Sequence, residues 1–326
     1  MMLMNINIKK VFACVIIFLA LINISFAAWT TPPFVAIEYA YQEARDFHEG
    51  LAAVKQNNRW GYIDNLGRVA IPFIYNIPEA GDFSEGVAFV GDHYIDTSGN
   101  PAFVRRDEDD ETRAWGHEKW DTGNQTKIFN NGLAFSQGLA AVQSGGQWGY
   151  IDLSGNYAIA PIFERADSFS EGLAAVRKNG HWGYINLRGK LVIPHRFIKA
   201  NRFSEGKAMV NLNGRRGFIN TSGDIVIRPS YYEAGDFSFG LAPVRTRTNY
   251  RGWGFISPRN RFAIPRRYNN AKNFGEGLAP VAADARWGYI DVRGDWEISP
   301  QFDDARPFSE GMAAVKQDGK WGYIRQ

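Results

Sequence analysis

A phrase close to Phe-Ser-Glu-Gly-Leu-Ala-Ala-Val, a short gap, then Trp-Gly-Tyr-Ile-Asp recurs along this chain and constrains its fold more than any other feature. Phe47, Phe83, Phe135, Phe169, Phe203, Phe237, Phe274 and Phe308 open successive copies, separated by 36, 52, 34, 34, 34, 37 and 34 residues. A near-constant period of this length with one large insertion means a stacked array, because a unit so small cannot bury its apolar face alone.

Within the copy that starts at Phe169, Leu173-Ala174-Ala175-Val176 and Trp182-Gly183-Tyr184-Ile185 flank Lys178-Asn179-Gly180-His181. Short apolar segments around an Asn-Gly pair predict a tight antiparallel hairpin. Asn186-Leu187-Arg188-Gly189 then predicts a second turn, with the Asn side chain accepting a backbone amide and Gly tolerating positive φ. Lys190 to Ile193 reads as a third strand, which Pro194 ends or confines to an edge. Phe197 and Ala200 close the unit, and Tyr75, Phe163, Tyr232, Tyr268 and Phe302 recur in that frame. No apolar stripe of helical period persists beyond a turn. The expectation is an all-β chain of about eight three-stranded repeats.

The Trp-Gly pair between the two short strands occurs at Trp60-Gly61, Trp148-Gly149, Trp182-Gly183, Trp253-Gly254, Trp287-Gly288 and Trp321-Gly322. In this the chain resembles the bacterial WG-repeat family, also called KWG repeats, over residues 34 to 326. The fifth copy departs, with Arg216-Gly217, and the second reads His93-Tyr94-Ile95-Asp96 after a shortened hairpin. The resemblance implies repeat type alone, since the family shares no catalytic residues to carry over. The Trp-Gly tryptophans are expected to pack between repeats, with Gly permitting close backbone approach.

The last copy stops after its second strand, at Tyr323-Ile324-Arg325-Gln326, while Phe34 to Ala44 matches a third strand and its closing segment. A first strand that completes the last unit is how propellers close. An open β-solenoid starting at that phase of its repeat is the alternative. Lys9 and Lys10 precede an apolar run from Val11 to about Ile22 and a small-residue site at Ser25-Phe26-Ala27, the pattern of a cleaved export signal. The expected organisation is a signal peptide over 1–27 and a single array over 28–326, with no membrane span after cleavage and a secreted or periplasmic destination. Cys14, the only cysteine, lies within the signal.

Chemistry has little purchase on this sequence. Glu49, Glu85, Glu171, Glu205, Glu276 and Glu310 occupy one repeat position, and Asp64, Asp96, Asp152 and Asp291 another. A catalytic carboxylate pair needs two different environments, so repeated acids are read as turn and backbone caps. His48, His93, His117, His181 and His195 lack metal-ligand spacing, and the last two are expected in solvated turns. No nucleophile elbow or phosphate loop occurs. A noncatalytic protein without cofactor or metal is expected.

Two departures from the pattern remain. The insertion at 105–125 holds an acidic run, Asp107 to Glu111, with Trp115 and Trp120 beside it. It reads as a solvated loop or as a docking loop with interface-like composition. The second departure is charge, because residues 177 to 272 contain 19 Lys or Arg against four acids. This sector includes Arg196, Arg202, Arg215, Arg216, Arg245, Arg247, Arg251, Arg259, Arg261, Arg266 and Arg267. Arginine suits bidentate grip of carboxylate or phosphate. The expected partner is an acidic protein or an envelope polyanion, with nucleic acid disfavoured by export. Head-to-tail self-association through the charge dipole and a carbohydrate-binding or polysaccharide-acting protein are the competing readings.

Overall fold

Each Trp-Gly segment forms the third strand of a four-stranded antiparallel blade. In the unit of Phe169 the order is Arg165–Ala166, Leu173–Lys178, His181–Asn186 and Leu191–Phe197. The three strands expected from sequence are therefore joined by a fourth, short inner strand. Its two residues lie opposite Arg177 and Val176, and Asp167 and Ser170 continue the pairing up to the Ser-Glu-Gly turn. The computed structural model describes residues 34–103, 119–121, 126–246 and 252–326. The segment 1–27, expected as an export signal, lies outside the described residues.

Burial follows the strand order. Ala174, Ala175 and Val176 are buried, whereas the outer strand alternates, with Ile193 and Phe197 inward and Leu191, Val192 and Pro194 exposed. Pro194 sits inside this outer strand, where its missing N–H costs no ladder bond. The Trp-Gly glycine has its own geometric reason. A Cβ on Gly183 would lie 2.6 Å from the Ile193 carbonyl oxygen, and one on Gly288 2.4 Å from that of Ile298. The pairing jumps at this point, Trp182 facing Phe197 and Tyr184 facing Ile193, so the outer strand bends across the bare glycine.

Seven such four-stranded blades are present among the described residues. The unit of Phe83 is reduced to the hairpin Val87–Val90 and His93–Asp96, with single bridges Ala80↔Val90 and Ile95↔Pro101 on its flanks. The insertion interrupts this unit's last strand. The chain leaves after Phe103 and re-enters at Thr126, where the Lys127 amide donates to the Phe103 carbonyl and the Phe129 amide to that of Asp92. Phe103 and Phe129 then pack on Tyr94 and Phe135. The end of the segment expected as a loop is a strand, Lys119–Asp121, paired with Thr126–Ile128.

The ring closes. Phe34–Tyr41 pairs antiparallel with Lys320–Arg325, Val35 opposite Ile324 and Ile37 opposite Tyr323, completing the blade that also contains Asp304–Ala305 and Met312–Gln317. The open solenoid is thereby excluded in favour of a propeller. An aromatic pair crosses every junction. Tyr62 meets Phe83, Tyr150 meets Phe169, Tyr184 meets Phe203, Phe218 meets Phe237, Phe255 meets Phe274 and Tyr289 meets Phe308, at ring separations of 4.8–5.1 Å. Tyr94 meets Phe135 at 5.4 Å across the reduced unit, and Tyr323 meets Phe47 at 4.9 Å across the seam. Edge-on pairs of this kind add about 0.5–1.5 kcal/mol each beyond area burial.

Candidate binding surfaces of the ring

Blades set around an axis diverge outward, so equivalent positions of neighbouring units can touch only near that axis. The Ser-Glu-Gly turns do so. Ser84, Ser170, Ser204, Ser238 and Ser309 donate through Oγ to the carbonyls of Phe135, Phe203, Phe237, Phe274 and Phe47 in the following unit, at 2.6–2.8 Å. The next residue reaches in the same direction. Glu49 accepts from the amides of Glu85 and Gly86 at 2.6 and 2.9 Å, and Glu310 accepts from those of Glu49 and Gly50 at 2.7 and 2.9 Å across the seam. The carboxylates read from sequence as turn caps thus cap the neighbouring unit. Tyrosine hydroxyls add a further lacing. Tyr62, Tyr150, Tyr184, Tyr289 and Tyr323 donate to the carbonyls of Gly81, Asp167, Asn201, Arg306 and Arg45 at 2.7–2.9 Å.

The approaches to the Ser-Glu-Gly turns carry a charged layer that sequence reasoning missed, because the residues at these positions vary from copy to copy. Arg45 makes a two-pronged pair with Asp82 at 2.6 and 2.7 Å and also meets Glu79. Lys272 reaches Asp304 at 2.8 Å, and Asn201 donates to Asp236 at 2.8 Å. Burial pushes the carboxyls of Asp46, Asp167 and Asp236 above the usual range. Opposing this, Arg306 favours the charged form of Asp46, the Ser168 amide and Arg202 that of Asp167, and Asn201 and Arg202 that of Asp236. Asp167 in turn raises Asp236 further as a like charge.

Strand register divides the basic residues between the two faces. Leu173 pairs with Asn186, so the Ser-Glu-Gly turns share one face with the turns at 186–190, 220–224 and 257–261. Arg259 and Arg261 are exposed there. The opposite, hairpin face carries Arg215, at the tip closed by Asn213 and Gly214, together with Arg216. Arg266 approaches this face from an outer strand whose last residue, Tyr268, pairs with Trp253, whereas the guanidinium groups of Arg196 and Arg267 extend from the same strand ends to the turns of the following units on the other face. Arg245 is also on the hairpin side, paired with Glu233 at 3.1 Å. Arg202 follows the inner strand Lys199–Ala200, beside Asp167 and Asp236. Arg247, Arg251 and Trp115 lie outside the described residues. Trp120 lies in the inserted strand.

Two of these arginines have structural work. Arg196 donates to the Gly223 carbonyl and Arg267 to the Gly294 carbonyl, each at 2.6 Å and each reaching the following unit while lying over its own neighbour, Phe197 or Tyr268. Of the repeat tryptophans, Trp60, Trp148, Trp253, Trp287 and Trp321 are buried and Trp182 is half-buried. Trp60 packs against Ala80, Phe83 and Val90 of the next unit, as expected for inter-repeat packing. Buried indoles cannot stack on a sugar, so five of these six tryptophans give the carbohydrate reading no support. His195 differs from expectation. It lies in the outer strand of its blade, and burial lowers its pKa below the ordinary imidazole value.

The model for WG-containing repeats matches residues 35–60, 60–91, 148–181, 182–215, 217–250, 253–284 and 287–321. The unmatched stretch between the second and third segments holds the end of the reduced unit and the insertion. No curated protein matches the sequence significantly. Among solved structures, a eukaryotic initiation factor aligns with 87% of this chain and 83% of its own at 12% identity and a TM-score of 0.52. The C-terminal WD40 domain of Sif2 aligns with 89% and 98% at 9% identity and a TM-score of 0.50. The extracellular domain of a hybrid two-component system from B. thetaiotaomicron aligns over 90% of this chain at 8% identity and a TM-score of 0.43, and the chain spans 42% of that domain's length. At these identities the likeness concerns the fold alone. Seven matched segments spread over most of the chain, five of them beginning at the Trp of a Trp-Gly pair in a closed propeller, establish that the chain belongs to the WG-containing repeat family.

Proposed function

We propose that this protein is a noncatalytic binding scaffold that holds an acidic partner through the hairpin face of the units opened by Phe169, Phe203 and Phe237. The observation that carries this reading is the lack of internal neutralisation. Among the described residues from 178 to 267, Arg245 alone forms an ion pair, although Lys178, Arg215, Arg216 and Arg266 stand on the same side of the ring. Elsewhere Arg45, Lys55, Arg68, Arg286 and Arg293 are each paired with an acid, while Arg59, Arg165, Arg306, Lys316, Lys320 and Arg325 form no ion pair among the described residues and are spread around the ring. Unopposed charge of one sign steers an oppositely charged protein to its docking face. The leader at 1–27 supports export, so an acidic envelope or extracellular protein is the partner class proposed.

Arg215, Arg216 and Arg266 are the residues to alter, because Arg196 and Arg267 tie one unit to the next. Changed together to Glu, they should abolish salt-sensitive retention on immobilised poly-glutamate while the melting temperature falls by no more than a few degrees. Retention equal to wild type, or wild-type retention that ignores salt, would remove the support for this face. Intact-mass measurement of the exported protein should show a chain beginning at Ala28; retention of residues 1–27 would oppose the export proposal.

A further inference from the structure

The Ser-Glu-Gly turns form a ring of amide cradles, and the chain fills all but one of them itself. Besides the two cradles filled by Glu49 and Glu310, the Gly138 amide donates to Glu85 at 3.0 Å, Gly206 to Glu171 at 3.0 Å, Gly240 to Glu205 at 3.1 Å and Gly311 to Glu276 at 2.9 Å. Gln137 does the same for Gly172 at 2.9 Å. The remaining cradle is that of Glu276 and Gly277. The residue that should reach it, from the preceding unit, is Phe239.

The backbone of this cradle matches the others, although Gly275 stands where most copies have Ser, its amide still donating to the Leu278 carbonyl at 2.9 Å. Phe239 has φ of 53°, within the narrow band of the glutamates and Gln137 at the same position, and Gly277 has φ of 85°, the same as Gly86. Ser238 still donates to the Phe274 carbonyl at 2.8 Å, so the two turns keep their spacing. Among the described residues no acceptor meets the amides of Glu276 and Gly277, and a Cβ placed on Gly277 would meet nothing within 4 Å. Phe239 is 52% exposed. A bulky side chain in the left-handed region is an outlier that costs free energy. A glutamate there recovers that cost through its charge-assisted bonds to the next unit, and a phenylalanine does not.

We propose that the amides of Glu276 and Gly277, beside the exposed ring of Phe239, receive a glutamate side chain from a partner protein. The chemistry is that of the filled cradles, where a carboxylate accepts one or two backbone N–H groups with its oxygens at 2.6–3.2 Å. The choice of glutamate follows from the ligand the ring uses for itself. Phe239 supplies an apolar wall against which the residue flanking that glutamate can pack. The site lies on the turn face, opposite the arginines of the hairpin face, and is independent of them.

The test uses the full chain labelled with 15N-glycine and a capped Phe-Ser-Glu-Gly-Leu peptide as probe. The Gly277 amide resonance should move saturably as peptide is added, and a peptide with Ala in place of Glu should leave it still. Phe239→Glu fills the cradle from within and should weaken the peptide by roughly tenfold or more, as expected when charge-assisted hydrogen bonds are denied. It should also protect the Gly277 amide from exchange. Phe239→Gln, which copies Gln137, serves the same purpose should the Glu variant fold poorly. The variant Arg215→Glu/Arg216→Glu/Arg266→Glu should bind the peptide as wild type does. A Gly277 resonance that ignores the peptide, or responds equally in wild type and both Phe239 variants, overturns the proposal. So does an equal response to acetate at the same concentration, which would make the site a bare anion cradle.

Discussion

Removing residues 34–41 should unlatch the ring, because this strand is the outer strand of the blade built from the other end of the chain. Ile37 and Tyr41 are the side chains it buries, and they share one cluster with Ala44, Phe47, Met312, Trp321 and Tyr323. At about 1.5–3 kcal/mol for each large apolar side chain returned to water, the two together contribute about 3–6 kcal/mol. The lost ladder bonds and the new exposure of the Trp321 strand add to that. Whole domains are stable by only about 5–15 kcal/mol, so the loss is a large fraction of the total. The seam would then keep the Tyr323–Phe47 ring contact and the hydrogen bonds of Glu310, Ser309 and the Tyr323 hydroxyl to Glu49, Gly50, Phe47 and Arg45. Hydrogen exchange read by mass spectrometry should show lost protection at Trp321–Ile324 and at Ala44–Phe47 alike. The far side, at Ala174–Val176 and Ala208–Val210, should lose far less. A truncated chain that keeps its melting temperature and its protection at Trp321–Ile324 would refute the closure argument.

Trp60→Ala should cost about 3–5 kcal/mol as a core truncation, since Trp60 is 1% exposed, whereas Trp182→Ala, at the half-buried copy, should cost clearly less; equal losses in thermal or denaturant melts would show that the tryptophans are not ranked by burial. Asp236 should make stability depend on pH. Its folded pKa lies above the unfolded value, so the folded state holds the proton more tightly and stability declines as pH rises from the ordinary aspartate range near 4 through the folded value. Asp64 and Asp291, held below that range despite slight burial by the Arg68 and Asp295 amides respectively and by hydrogen-bonded arginines, act in the opposite sense. The comparison is therefore between wild type and Asp236→Asn, and their stability difference should shift in favour of the variant as pH rises from 4 to 7; a difference constant across that range would contradict the assignment.

The period and the composition of the repeat were sufficient to read all-β blades, the Asn-Gly hairpin, the Asx-type turn and the Trp-Gly glycine, because each depends on residues within one unit. Asp64, for example, accepts from the Leu66 and Arg68 amides of its own turn, an interaction visible in five residues of sequence. The short inner strand was not legible, since two paired residues followed by an irregular approach to a turn leave no alternating pattern. Where the sequence does speak across units it does so by register, as when Phe34–Tyr41 reads as the missing strand of the last blade. What the tertiary structure alone decided is which unit each side chain serves. Glu49 caps the turn of the next unit, Arg196 and Arg267 leave the basic sector to bind carbonyls of the following units, and Arg215 and Arg259 part to opposite faces. The physical reason is that a repeat specifies its own backbone through local hydrogen bonds and alternation, while contacts between repeats exist only after the blades are arranged about an axis and brought within a few ångströms of one another.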